Sequence, residues 1–214
     1  MTSSDPAALL RKLLIWLALP LYVLDQVTKA WTVWRFPLPW RQVGEPGVDF
    51  IPVAENVFHL VRIHNQGVAF GFGNGTAWAP IVFMIVPVIA LFMIRLFWKK
   101  GVFNHPLSTL AVALILTGIA GNLTDRLVQG FLLEESFING VLVENLKSEP
   151  VWVRLSSGYV VDFVLVKLPL YDKIIPSSGG WWPAFNVADA SICVAAVLLF
   201  IGGIREEMAK PKEK

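Results

Sequence analysis

Four apolar stretches dictate what this chain can fold into: residues of about 13–34, 77–98, 106–124 and 186–204 each approach the roughly 20 residues that a membrane-crossing helix needs. Lipid offers the backbone no hydrogen-bonding partners, so such segments are helical. Composition agrees. The 214 residues are 55% hydrophobic, with a mean hydropathy of +0.60, above an ordinary soluble domain. A net charge of +2 with dispersed basic residues gives no footprint for nucleic acid. The single cysteine, Cys193, permits no disulfide within the chain. His59, His64 and His105 are scattered, so they read as loop or interface residues, and no Cys/His metal spacing exists. No metal and no cofactor are expected. The reading is an all-α polytopic membrane protein, one membrane-embedded domain over residues 1–214.

Arg11-Lys12 followed by Leu13–Leu24 has the n- and h-regions of a signal peptide, but no small-residue cleavage pattern follows. Instead Asp25-Gln26-Val27-Thr28-Lys29 carries the helix on to Trp34. Asp25 and Lys29 lie four apart, in the order that favours an ion pair. They read equally as a helix-end salt bridge and as support for a site; Lys29 either pairs with Asp25 or snorkels. Residues 36–75 are too polar and too rich in Pro and Gly to span. Val57–Ile63 and Val68–Phe72 flank the turn signal Asn65-Gln66-Gly67, which predicts a small β-hairpin or curved sheet on the membrane. The second span contains Pro80 and Pro87, the latter a kink. The third closes on Gly118-Ile119-Ala120-Gly121-Asn122-Leu123-Thr124-Asp125-Arg126. Gly118, Ala120 and Gly121 allow close helix packing. Asn122, Asp125 and Arg126 within one turn are more polar than a helix end requires. Residues 129–159 form a soluble insert, with short strands expected at Val141–Glu144 and Val151–Leu155.

Arg11, Lys12, Arg95, Lys99, Lys100 and the basic tail mark three cytoplasmic ends, so both termini face inward. Trp31, Trp34, Trp40, Trp181 and Trp182 fit the outer aromatic belt. Asn65, Asp125 and Asp162 then lie on the outer side.

Two aspartates focus the functional question. Asp189 sits in Phe185-Asn186-Val187-Ala188-Asp189-Ala190-Ser191-Ile192, where a loop enters the fourth span. Alone, Asn186 and Asp189 read as readily as a helix cap. Asp162, in Val160-Val161-Asp162-Phe163-Val164, adds a second acid in an apolar setting. A close carboxylate pair in low dielectric shares one proton, so one member can take a proton from water while the other polarises a carbonyl. Ser191 and Cys193 lack a histidine in a plausible partner segment and are poor nucleophiles. Asn65, Asn122, Arg126 and Asn186 could hold a peptide backbone. A cation transporter would carry its acids along a path through the bilayer; here they gather on one side. A non-catalytic scaffold for lipidated partners has no need of both aspartates.

Five segments, Asp25–Lys29, Asn65–Phe70, Gly118–Arg126, Val161–Phe163 and Phe185–Ile192, together resemble the lipoprotein signal peptidases (signal peptidase II) of bacteria, in family order among four spans. The resemblance implies an aspartic endopeptidase that cuts before a diacylglyceryl-modified cysteine at the extracytoplasmic face of the cytoplasmic (inner) membrane. It implies Asp162 and Asp189 as the catalytic pair. Asp25, Asn65, Asn122, Arg126 and Asn186 match site-lining residues, Asp125 a structural acid beside the arginine, and the loop near 51–72 a β-cradle. Lys29, Gly67 and Ala188 belong to the same segments and are counted as supporting residues. The implied partners are diacylglyceryl-modified prolipoproteins, membrane lipid and cyclic peptide inhibitors of the globomycin type. Three features depart from the family: Val68 for an alanine, Thr117 for a glycine, and the insert between Asp125 and Asp162, where the family has a few residues.

Overall fold

The computed structural model describes residues 5–39, 50–67, 73, 76, 78–138 and 141–209; the expected strand Val68–Phe72 and belt residue Trp40 lie outside them. Among the described residues, four helices are long and apolar enough to cross a membrane: α1 (Pro6–Arg35), α2 (Trp78–Lys99), α3 (Pro106–Leu132) and α6, whose span is Val187–Arg205 within a helix reaching Ala209. Asp5 caps α1, its carboxylate accepting from the Ala7 N–H at 3.0 Å with Pro6 in the first turn. Residues Leu14–Ala18 of α1 open into a π-helical turn. α3 continues eight residues past the expected end at 124. Its last turns bury Asp125, Arg126 and Gln129 and expose Leu127, Val128 and Leu132. That inverted amphipathicity suits a helix with lipid outside and polar chemistry inside.

The chain divides into two compact units. The first comprises Met1–Leu24, Pro87–Gly121 and Val187–Lys214. Its core is Ala111, Leu114 and Ala195 among leucines such as Leu17, Leu21 and Leu198. Gly118 is required here: a Cβ would run into Ile192 and the carbonyl of Ala188, so α3 and α6 meet backbone to backbone at this point. Buried hydroxyls bond within their own helix, Thr117 to the Ala113 carbonyl at 3.0 Å and Ser191 to that of Val187 at 2.8 Å.

The second unit, Asp25–Val86 and Asn122–Asn186, holds the sheets. Strands β1 (Phe50–Ala54), β2 (Phe58–Asn65) and β5 (Val160–Val166) form an antiparallel sheet in the order β1-β2-β5. β2 turns back on β1, upstream of it. The turn is Glu55-Asn56-Val57, with Asn56 at φ 57°, a conformation asparagine tolerates. β2 pairs Ile63 with Asp162 and Asn65 with Val160, after an irregularity between Leu60 and Ile63. Residues 181–185 run along the free edge of β5, with Trp182 N–H to Val166 O at 2.8 Å and Phe185 N–H to Val164 O at 3.0 Å. This edge pairing delivers Asn186 to the level of Asp162.

The described residues of the insert are structured. They contain a hairpin, β3 (Ser136–Ile138) with β4 (Val141–Val143), and a helix, α4 (Val151–Ser156); a one-turn helix, α5 (Tyr171–Ile174), follows β5. The strand expected at Val151–Leu155 is therefore a helix. Its Val-Trp-Val opening mimics a strand, but Pro150 stands at the N-cap, its carbonyl accepting from the Val153 and Arg154 N–H groups, and Val153 faces inward while Val151 and Trp152 are exposed. Leu133, Leu146, Tyr159 and Val161 form the insert's core, joined by Val33, Leu38, Val143 and Val153. Two arginines close the ends of spans. Arg62 donates to the carbonyls of Val33 (3.1 Å) and Phe36 (2.8 Å) at the end of α1, and Arg154 to that of Phe131 (3.0 Å) near the end of α3.

Candidate active site

The polar centre of the second unit begins with Lys29. Its ammonium, 1% exposed, lies 2.8 Å from Asp25 and 3.1 Å from Asp125, and donates to Asn122 Oδ1 at 3.1 Å. Lys29 is thus paired and buried rather than snorkelling. The i, i+4 spacing on α1 brings Asp25 to it, and α3 brings Asn122 and Asp125 three residues apart on one face. Gln26 donates to Asp25 at 3.1 Å and to Asp125 at 3.4 Å. Such a pair survives burial only because each charge has several partners.

Asp125 extends this network to the sheet. Its Oδ2 accepts the Val161 N–H at 3.0 Å. The residue next to Asp162 is therefore pinned to α3. Asp162, 2% exposed, is held at both oxygens: Asn186 Nδ2 donates to Oδ1 at 2.7 Å and Asn65 Nδ2 to Oδ2 at 2.9 Å. Asn186 also donates to the Val161 carbonyl at 3.3 Å. Asn65 Oδ1 is buried and accepts no hydrogen bond from the described residues.

Arg126 does different work from its neighbour. It donates to the carbonyls of Gln66 (3.1 Å) and Gly67 (2.8 Å), and its guanidinium lies 5.4 Å from the Phe83 ring centre. Gly67 contributes to the site through its backbone oxygen. Asn65 to Gly67 thus runs from the Asp162 carboxylate to the Arg126 fork.

Asp25, Lys29, Asn65, Gly67, Asn122, Asp125, Arg126, Asp162 and Asn186 all belong to this unit. Asp189 and Ala188 belong to the other. Asp189 is half-buried in the first turn of α6, three residues beyond Asn186 in the chain; Ala188 is fully buried, its carbonyl against Gly118.

Sequence reasoning missed a second polar cluster on the reverse face of the sheet. Arg62 Nε donates to His64 Nε2 at 3.0 Å, His64 stacks on Tyr159 with ring centres 3.5 Å apart, and the Tyr159 hydroxyl donates to Gln129 at 3.1 Å. Burial, with the Arg62 charge adding to it, holds His64 well below the ordinary histidine value, so it is the neutral acceptor that the Arg62 bond requires. Burial pushes the Tyr159 phenol up to about 12. The signal in the sequence was the two-residue spacing of Arg62 and His64, which puts both on one strand face.

Four membrane-capable helices and a buried carboxylate held by amides define a multi-pass membrane protein with a polar site at its helix ends. A family model described as Signal peptidase (SPase) II matches residues 17–205. The lipoprotein signal peptidase of Geobacter sulfurreducens is 34% identical over 160 residues, 75% of this chain and 77% of that protein. The one from Halalkalibacterium halodurans is 31% identical over 197 residues, 92% of this chain and 95% of that protein. The fold also matches a bacterial membrane enzyme solved by the in meso method at 2.3 Å, with a TM-score of 0.63 and 22% identity over 94% of this chain and 93% of the other. That likeness concerns fold alone. The chain belongs to the signal peptidase II family, and hence to the membrane-bound peptidases.

Proposed function

We propose that this protein is an aspartic endopeptidase that removes signal peptides from prolipoproteins, cutting before the diacylglyceryl-modified cysteine with Asp162 and Asp189 as the catalytic pair. The observation that carries this reading is the setting of Asp162: a buried carboxylate with an amide donor on each oxygen, on a strand tied to a buried Asp–Lys–Asp network. Family membership supports the substrate. The chain order Asn186-Val187-Ala188-Asp189 supports Asp189 as the partner, since Asn186 is already bonded to Asp162.

In this reading Asp162 is the ionised member and takes a proton from water. The water oxygen attacks the scissile carbonyl carbon. Asp189, protonated, donates to the carbonyl oxygen as negative charge develops there. Collapse of the tetrahedral intermediate breaks the C–N bond; the departing amine takes the proton held by Asp162, and the hydroxyl formed on the carbonyl oxygen returns its proton to Asp189 as the C=O re-forms. Asn65 Oδ1 is the acceptor available for a substrate N–H. The positive-inside pattern supports a bacterial inner-membrane protein with both termini cytoplasmic and the site outside. Bound cyclic peptides of the globomycin type would occupy the same substrate site.

Cleavage of a purified prolipoprotein, followed by mass spectrometry, tests the reading. The expected product begins with the diacylglyceryl-modified cysteine, and the unlipidated precursor is left intact. A cut elsewhere, or equal cleavage of the unlipidated form, contradicts the proposed specificity.

A further inference from the structure

We propose that the excursion from Leu133 to Gly158 is a positioning element for Asp162, bracing β5 from its reverse face; this rests on the assignment of Asp162 to the chemistry. Side chains alternate along a strand, so Asp162 and Val160 share one face while Tyr159 and Val161 occupy the other. Both reverse-face residues are buried, Tyr159 at 1% and Val161 at 0% exposure. Much of their cover comes from the excursion: Leu133, Leu146, Val143 and Val153 pack on them, alongside Val33 and Leu38 from the end of α1 and just beyond it.

Two hydrogen bonds then tie this stretch of chain to α3. The Val161 N–H donates to Asp125 and the Tyr159 hydroxyl to Gln129. The two bonds hold the start of β5 to α3 at two points, one through the backbone of Val161 and one through the Tyr159 side chain. His64 stacks on the far side of the Tyr159 ring and is itself held by Arg62.

The excursion is also seated directly on the helix that carries Asp125 and Arg126. A Cβ on Gly130 would run into the Arg154 carbonyl, and one on Gly158 into the Arg126 carbonyl. Backbone meets backbone at both points, and Arg154 adds its bond to the Phe131 carbonyl at 3.0 Å. The segment between Asp125 and Asp162 thus leaves α3 and returns to it immediately before β5. It is a brace built between two parts of the site. A carboxylate aligned at 2.7 and 2.9 Å is sensitive to small shifts of its strand.

The test compares Tyr159→Phe, Leu146→Ala and Asp162→Asn in the purified full chain, with kcat and KM measured on a diacylglyceryl-modified prolipoprotein and folding checked by thermal midpoint. Tyr159→Phe removes one hydroxyl and keeps the ring. The expected result is a fall in kcat of about 3–10-fold, the range for one lost hydrogen bond, with KM within about twofold. Leu146→Ala should lower kcat further; if it fails to fold, Tyr159→Phe carries the test alone. Wild-type kcat in a folded Tyr159→Phe, with Asp162→Asn inactive, overturns the positioning role and leaves Asp162 in place. Raised KM at unchanged kcat also overturns it, moving the excursion to substrate binding. Normal cleavage by Asp162→Asn removes the catalytic assignment and the proposal with it.

Discussion

The two compact units bury polar groups in opposite ways. In the first, Thr117 and Ser191 bond to carbonyls one turn back in their own helices, and the rest of the core is Ala, Leu and Ile. In the second, the partners come from far along the chain: Lys29 to Asn122, Gln26 to Asp125, Asn65 to Asp162, at separations of 93, 99 and 97 residues. A polar group satisfied locally can be lost without consequence elsewhere. One satisfied across the fold leaves its distant partner buried and unpaired. The first unit is therefore held by packing and the second by mutual satisfaction of charges and amides.

Three substitutions or conditions sharpen that contrast. Lys29→Met should produce the largest loss, about 3–5 kcal/mol, because it strands Asp25 and Asp125 together in the interior. Unfolding in detergent by denaturant measures it; a loss below about 1 kcal/mol would mean that the network is hydrated and the contrast false. Gly118→Val should cost the first unit less, about 1–3 kcal/mol, through clash with Ile192 and the Ala188 carbonyl alone. Its thermal midpoint should fall without any change in pH dependence. The smallest effect is alkaline. The Tyr159 phenol titrates near 10 when unfolded and at about 12 when folded, so the folded state holds its proton longer. The resulting stabilisation is present below pH 10 and is lost as pH rises through about 12. Tyr159→Phe should flatten that part of the stability–pH curve; an unchanged slope would assign it to other groups.

Much of this was readable beforehand, for identifiable reasons. The four spans announce themselves by length and apolarity, and Asp25 with Lys29 by helical spacing. Helix boundaries were less legible: α3 runs to Leu132 because polar Asp125, Arg126 and Gln129 are inside and leucines outside, the reverse of a soluble helix end. Asp162 was legible as an acid in an apolar run, but so short an apolar run does not distinguish a strand from a helix. Its partnership with Asn65 depends on the pairing of β2 with β5, a register that no local pattern encodes. Asp125 reads as a companion of Arg126 because they are adjacent, yet helix geometry sends neighbours to different faces, and it serves Lys29 and Val161. Val151–Leu155 imitates a strand until Pro150 is weighed as a helix start. Arg62, His64 and Tyr159 form a stack only once the sheet exists.

The central claim is that Asp162 and Asp189 act together on water. The most direct measurement is cleavage of a diacylglyceryl-modified prolipoprotein by wild type, Asp162→Asn and Asp189→Asn, each purified and shown to be folded. The account predicts turnover by the wild type and a loss on the order of 10³-fold or more in each variant, with the double variant no worse than either single one, because the two carboxyls form one unit. Turnover by either single variant within about tenfold of wild type would contradict the pair and place the proton transfer elsewhere.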